Sequence, residues 1–159
     1  METSALLDMI AARFPGRILK ASAEGRDAAL VVSRDALGDL AAWLKNEPFG
    51  FSMLLDLTCV DYPERTERFE LVYHLLSIAA NRRIKLTCAL PADAPSVASL
   101  TPLWKNADWL EREVFDMFGV RFDGHPDLRR LLTYDGFEGH PLRKDYPLRK
   151  RQPRLALRT

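Results

Sequence analysis

Cysteine and histidine are scarce in this chain, and their scarcity removes whole classes of chemistry. Its 159 residues include 2 cysteines and 3 histidines, too few and too scattered to hold an iron–sulfur cluster by themselves. Cys59 and Cys88 form no CxxC pair and fall in apolar, strand-like stretches, where a free thiol packs as a small hydrophobe in a reducing compartment. There is no HExxH pair, GxGxxG turn, Walker loop or GxSxG elbow. No apolar run approaches the length of a membrane span. The opening METSALLDMI has no basic region and no small-residue cleavage site, so no signal peptide is expected. Internal repeats and low-complexity stretches are also missing.

What is present suits one globular domain. Hydrophobic residues make up 47% and charged residues 28%, ordinary values for a folded chain of this length, which buries roughly 70% of its unfolded surface. The net charge of +1 conceals an imbalance. Residues 143–159 carry +6, from Arg143, Lys144, Arg149, Lys150, Arg151, Arg154 and Arg158 against Asp145, which leaves residues 1–142 at −5. A basic end on an acidic body suits docking to an acidic partner surface, a nucleic acid or anionic headgroups. Nucleic acid fits poorly, because the end has few aromatics for stacking and the body repels phosphate.

Periodicity predicts a helix over 4–14, with Leu6, Leu7, Ile10, Ala11 and Phe14 at helical spacing and Pro15-Gly16 as the stop. Strands are expected over 17–22 and 28–32 around the turn at 24–27. Ser33 is placed to cap a second helix, with Leu37, Leu40, Ala41 and Leu44 on one face and Pro48 beyond its end. Three more strands follow, over 51–60, 69–78 and 84–90. In the middle one Phe69, Leu71, Tyr73 and Leu75 alternate with Glu70, Val72, His74 and Leu76, and the second face is apolar enough to predict cover on both sides. Pro91–Pro102 reads as a loop or a short helical turn. A last helix begins near 106–108 and stops at Gly119, with Asp108 and Glu111 at capping-box spacing and Arg112 and Asp116 placed to pair outward. Short hairpins between strands imply an α+β fold: a mainly antiparallel sheet of about five strands with packed helices, followed by an extended C-terminal tail.

The most informative stretch is EREVFDMFGVRFDGHPDLRRLLTYDGFEGHPLRKDYP, from Glu111 to Pro147. After Gly119 it loses every helix and strand period, yet it keeps Phe122, Tyr134, Phe137 and Tyr146, which a disordered tail would lack. A loop this long is normally functional or lies on something else. The chain therefore divides into a body, 1–119, and a tail, 120–159, expected to complete its fold on a partner. Glu111 is the anomaly on the helix, facing Phe115 and Phe118, and Arg129 or Arg130 is the expected counter-charge.

Sites for chemistry are weak. His125 and His140, each after Gly and before Pro, could join Asp127 and Glu138 as metal ligands or as a general-base pair in a free-standing hydrolase, although turn geometry explains them as well. Asp56 and Asp61 read as turn-capping carboxylates at a strand end.

The spacing ERE, two residues, DMF, six residues, His125, three residues, Arg129, one residue, Leu131-Leu132 resembles the signature of the 30-kDa subunit (the C-type subunit) of proton-pumping NADH:quinone oxidoreductase, respiratory complex I. LLDLTCVDYPERTERFELVYHLLS resembles the family's central strands and GFEGHPLRKDYPL its tail, so the resemblance covers Phe51 to Leu148. One departure is visible: Tyr134-Asp135 reverses the order common in the family. The resemblance implies a non-redox scaffold with no active site, metal or cofactor of its own. FMN, iron–sulfur clusters and quinone would belong to partners: the large quinone-module subunit of D type, cluster-bearing subunits of B and I type, and other peripheral-arm subunits. It further implies a bacterial inner-membrane location, peripheral and on the cytoplasmic side, held through the complex. Glu111, Arg129, Arg130, Phe137, His140, Arg143, Lys144 and Tyr146 are the expected partner-interface residues. Related domains occur in membrane-bound [NiFe] hydrogenases and formate hydrogenlyase, but the DYPER and GFEGHPLRKDYP segments lean toward the NADH type.

Overall fold

The computed structural model describes residues 2–154 apart from Arg26 and Glu47, so the basic residue Arg158 and the rest of the final five lie outside the described residues. Helix α1 spans Thr3–Arg13 and stops where expected, at Pro15 and at Gly16 with φ +72°. Strands β1 (Ile18–Glu24) and β2 (Asp27–Val32) form an antiparallel hairpin. Ser33 makes no side-chain cap bond; a single 3-10 turn, Arg34–Ala36, leads instead into α2 (Leu37–Lys45). Strands β3 (Met53–Asp61), β4 (Phe69–Ser77) and β5 (Arg82–Leu90) then run as a meander.

The sheet order is β1-β2-β5-β4-β3. All neighbours are antiparallel except β2 and β5, which pair in parallel from Ala28 with Ile84 to Val31 with Thr87. Hairpin reading does not reveal this seam, because its partners lie on opposite sides of α2 and two strands. Pro91–Pro102 is also more than a loop. It contains β6 (Ser96–Ala98), which pairs in parallel with β7 (Arg121–Asp123) just after helix α3 (Ala107–Phe118). Strands of three residues are too short to display a period.

The core is one cluster on one face of the sheet. Phe69, Leu71, Tyr73 and Leu75 of β4 and Ile84, Leu86, Cys88 and Leu90 of β5 are fully buried there. Leu6 and Ile10 of α1, Leu40 and Leu44 of α2, and Val114 and Phe118 of α3 close over them. Each such side chain stabilises the fold by about 1.5–3 kcal/mol. The expected cover on both sides of β4 is corrected: Glu70, Val72, His74 and Leu76 are only half-buried, and Thr58 and Lys85 beside them are exposed. All three helices contribute to the other face. Cys59 and Cys88 are free and buried, and burial pushes both thiols up to about 12.

Candidate assembly site around the last helix

Helix α3 forms because its apolar positions fall on one stripe facing β3, and Gly119 ends it with φ +76°, the left-handed conformation that favours glycine at a helix C-terminus. The capping box expected at its start is not used. Asn106 holds the N-cap position without a side-chain cap and donates to the Leu54 carbonyl at 2.8 Å. With Trp104 Nε1, which donates to the Ser52 carbonyl at 3.1 Å, it satisfies acceptors along the edge of β3.

Glu111 is 0% exposed and turns into the chain. Its Oε2 accepts from the Ser99 hydroxyl at 2.6 Å, and its Oε1 accepts from the Leu100 amide at 2.6 Å. Burial raises its pKa, against those two bonds. The expected pairing with Arg129 or Arg130 is corrected, because both arginines of the following loop meet other carboxylates. Arg129 pairs with Asp127 at 2.8 Å, and Arg130 with Asp116 at 2.8 Å. Glu111 therefore offers no surface to a partner.

The loop crosses over Arg112 and Asp116. These two do not pair outward, as their spacing suggests; both are buried and both serve the loop. Arg112 donates to the Arg129 and Arg130 carbonyls at 3.2 Å each. Asp116 accepts from the amides of Leu131, Leu132 and Thr133 at 3.1, 2.8 and 2.8 Å, from the Thr133 hydroxyl and from Arg130. Burial opposes ionisation of Asp116, but the hydrogen bonds from Thr133, Arg130 and Leu132 outweigh it and lower the carboxyl to about 2.

The next part of the loop caps the end of α3. A helix leaves its last four carbonyls without helical partners, and here each one finds a donor. Gly119 N reaches the Phe115 carbonyl at 2.8 Å, and Leu142 N the Met117 carbonyl at 3.1 Å. His140 Nδ1 lies 2.9 Å from the Asp116 carbonyl and is therefore the protonated nitrogen. Arg143 Nε donates to the Phe118 carbonyl at 2.6 Å, placing a cation at the negative end of the helix. Burial lowers the His140 pKa, and Arg143 and Arg130 depress it further. Gly119 also permits this approach sterically: a Cβ there would lie 2.6 Å from His140 and from Arg143.

A second anchor lies on the sheet. Asp61, at the end of β3, is buried and binds Arg68 through both oxygens at 2.7 and 2.8 Å, so its reading as a turn cap is corrected. It also accepts from the Lys144 amide at 2.7 Å, and Arg68 reaches on to Asp145 at 2.9 Å. The hydrogen bond from Arg68 lowers the Asp61 pKa. Beyond this point the chain closes on itself. Gln152 bonds the Glu138 amide and carbonyl at 2.9 and 3.1 Å, the Tyr134 hydroxyl donates to the Pro153 carbonyl at 2.7 Å, and Phe137 stacks on Tyr146 at 6.2 Å.

Of the eight residues expected at a partner interface, Arg129 and Lys144 are exposed, while Arg130, Phe137, His140, Arg143 and Tyr146 are half-buried against their own chain. His125 and His140 do not converge: His125 Nε2 lies 3.2 Å from the Asp108 carbonyl, whereas His140 sits on that of Asp116, two turns along α3. Among the described residues, no three His, Cys, Asp or Glu side chains form a metal-binding group. A concavity of about 790 Å³ is an open groove beside Phe14 and Trp43, away from α3. Sequence reasoning missed the roles of Asp116, Asp61, Arg68 and Ser99, since nothing in a spacing shows which backbone a carboxylate will meet.

This α+β architecture has a counterpart among solved structures. The trypsin-resistant fragment (1-134) of Nqo5 has the same fold at a TM-score of 0.69 and 32% identity, covering 80% of this chain and all of that one. The chain belongs to the family described as respiratory-chain NADH dehydrogenase, 30 Kd subunit, which matches residues 30–152. Its relatives include the C subunit of the NADH-quinone oxidoreductase of Caulobacter vibrioides, 50% identical over 87% of this chain and 70% of that protein. The corresponding subunit of Maricaulis maris is 52% identical over 74% of this chain and 58% of that protein, so the chain spans little more than half the length of some relatives.

Proposed function

We propose that this chain is a scaffold subunit of the peripheral arm of a proton-translocating NADH:quinone oxidoreductase. It would support electron transfer from NADH to quinone without carrying a redox group of its own. The observation that carries the reading is the family match across 30–152, together with a 50% identical relative named as the C subunit of an NADH-quinone oxidoreductase. FMN, iron–sulfur clusters and quinone belong to the partners in this reading. The partners are the large D-type quinone-module subunit and the B- and I-type cluster subunits. The chain sits on the cytoplasmic side of a bacterial inner membrane, held by those partners; no helix among the described residues is long and apolar enough to cross a membrane. Of the expected interface cations, Lys144 is exposed and meets no carboxylate among the described residues, so its side chain is the one best placed to meet a partner carboxylate.

The names of the relatives favour this assembly over a hydrogenase or formate hydrogenlyase, and the separate commitments of His125 and His140 disfavour a hydrolase. The test is a gentle-detergent pull-down of the tagged chain from its native membranes, with an absorption spectrum and an NADH:quinone assay. Flavin and iron–sulfur absorbance with NADH-driven quinone reduction is the expected result. Hydrogen-dependent activity without NADH oxidation would replace the proposal with the hydrogenase reading, and a colourless chain captured alone would end it.

A further inference from the structure

We infer that residues 129–146 are fastened to their own chain before any partner binds, as a preformed clasp that presents residues 147–154 as a ready docking strip. This inference rests on the scaffold reading and concerns how that same segment is prepared for assembly. The fastening uses groups that a segment folding only on a partner would leave bare. Asp116 is 0% exposed and depends on the 131–133 amides for its donors. The last carbonyls of α3 depend on His140, Leu142 and Arg143, and Asp61 accepts the Lys144 amide from across the sheet. Such oriented bonds carry large penalties when broken without replacement.

The groups left over point outward. The side chains of Lys144, Arg149, Arg151 and Arg154 are exposed and meet no carboxylate among the described residues, and Leu148 is 98% exposed between them. Uncompensated cations around a bare leucine fit an acidic protein face with an apolar notch, the complement of this charge pattern. Fixing the strip in advance removes ordering entropy from the binding step.

Hydrogen exchange on the isolated full-length chain tests the inference. The amides of Leu131, Leu132, Thr133, Leu142 and Lys144 should exchange at least about 100-fold more slowly than unstructured amides. Asp116→Asn should return residues 131–133 toward free exchange while the strands keep their protection. Should that variant unfold, Leu142→Pro removes one clasp amide without touching the sheet, and should speed exchange at its neighbours 140–144. Either variant should weaken capture of the partner assembly by about tenfold through lost preorganisation. Free exchange of these amides in the wild-type chain, or unchanged exchange in a folded variant, would overturn the clasp. Slow exchange in a chain that captures no NADH:quinone reductase would sink the functional reading and leave the clasp standing.

Discussion

The five-stranded sheet keeps its form by burying Phe69, Leu71, Tyr73, Leu75 and their neighbours against three helices. Residues 129–146 keep theirs with almost no apolar core, by aiming side-chain and backbone donors at Asp116, Asp61 and the end of α3. Burial is non-directional and roughly proportional to area. Hydrogen bonding to buried acceptors depends on geometry and is expensive to leave unmade. The two regions should therefore fail differently: the sheet as a whole, the clasp one anchor at a time.

Breaking the sheet should have the largest effect. Leu71→Ala should destabilise the whole chain by about 2–5 kcal/mol, read as one cooperative transition in chemical denaturation. A clasp that melts first in that variant, with the sheet midpoint unmoved, would contradict the contrast. Asp116→Asn should cost about 1–3 kcal/mol, because the remaining amide side chain cannot accept from all five donors. Its signature is exposure of the loop to protease at unchanged strand content, and a resistant loop would show that Asp116 is not the anchor. Gly119→Ala combines an unfavourable positive φ with a clash at His140 and Arg143. It should cost at least about 1–2 kcal/mol, with the His140 side-chain resonances shifted toward those of a free imidazole.

Falling and rising pH should act on different carboxylates of α3. The Asp116 carboxyl is depressed from 3.8 to about 2, so its contribution is complete above the ordinary value and disappears as pH falls through the folded one. Glu111 is raised by burial, so its contribution is complete below the ordinary carboxyl pKa and is lost as pH rises through the folded value. Glu111→Gln should remove that loss as pH rises and leave acid unfolding of the clasp unchanged; a variant as sensitive to rising pH as the parent would place the titration elsewhere. Lys144→Ala should be the mildest change. Its backbone makes the contact with Asp61, so stability should move by less than about 0.5 kcal/mol in a melting curve while partner capture weakens.

Much of the sheet was legible because alternation and helical spacing report burial directly. Phe69 to Leu75 alternate as strand residues, and the helix stops at Gly16 and Gly119 fall where their positive φ requires them. Three things were not legible. The parallel pairing of β2 with β5 is a long-range choice that neither segment records. Strands β6 and β7 are each three residues long. The third concerns the partners of polar groups. Arg112 and Asp116 have the spacing of a surface pair, and Glu111 that of a capping box, yet a loop crossing one face of α3 and the turn at Ser99 reassign all three. Loss of periodicity drew attention to the segment after α3, whereas its hydrogen bonds had to be read from the fold.

The parallel seam between β2 and β5 also bears on how the chain acquires its shape over time. Arg83 N donates to Asp27 across 56 positions of sequence, whereas β1 with β2, and β3 through β5, are joined by short turns. Local pairings close quickly and distant ones slowly, because the intervening loop must first be ordered. On a ribosome, the first hairpin would emerge with its parallel neighbour still unmade and its inner edge unpaired until β5 had followed. The interval between those two events is when this protein is most open to mispairing.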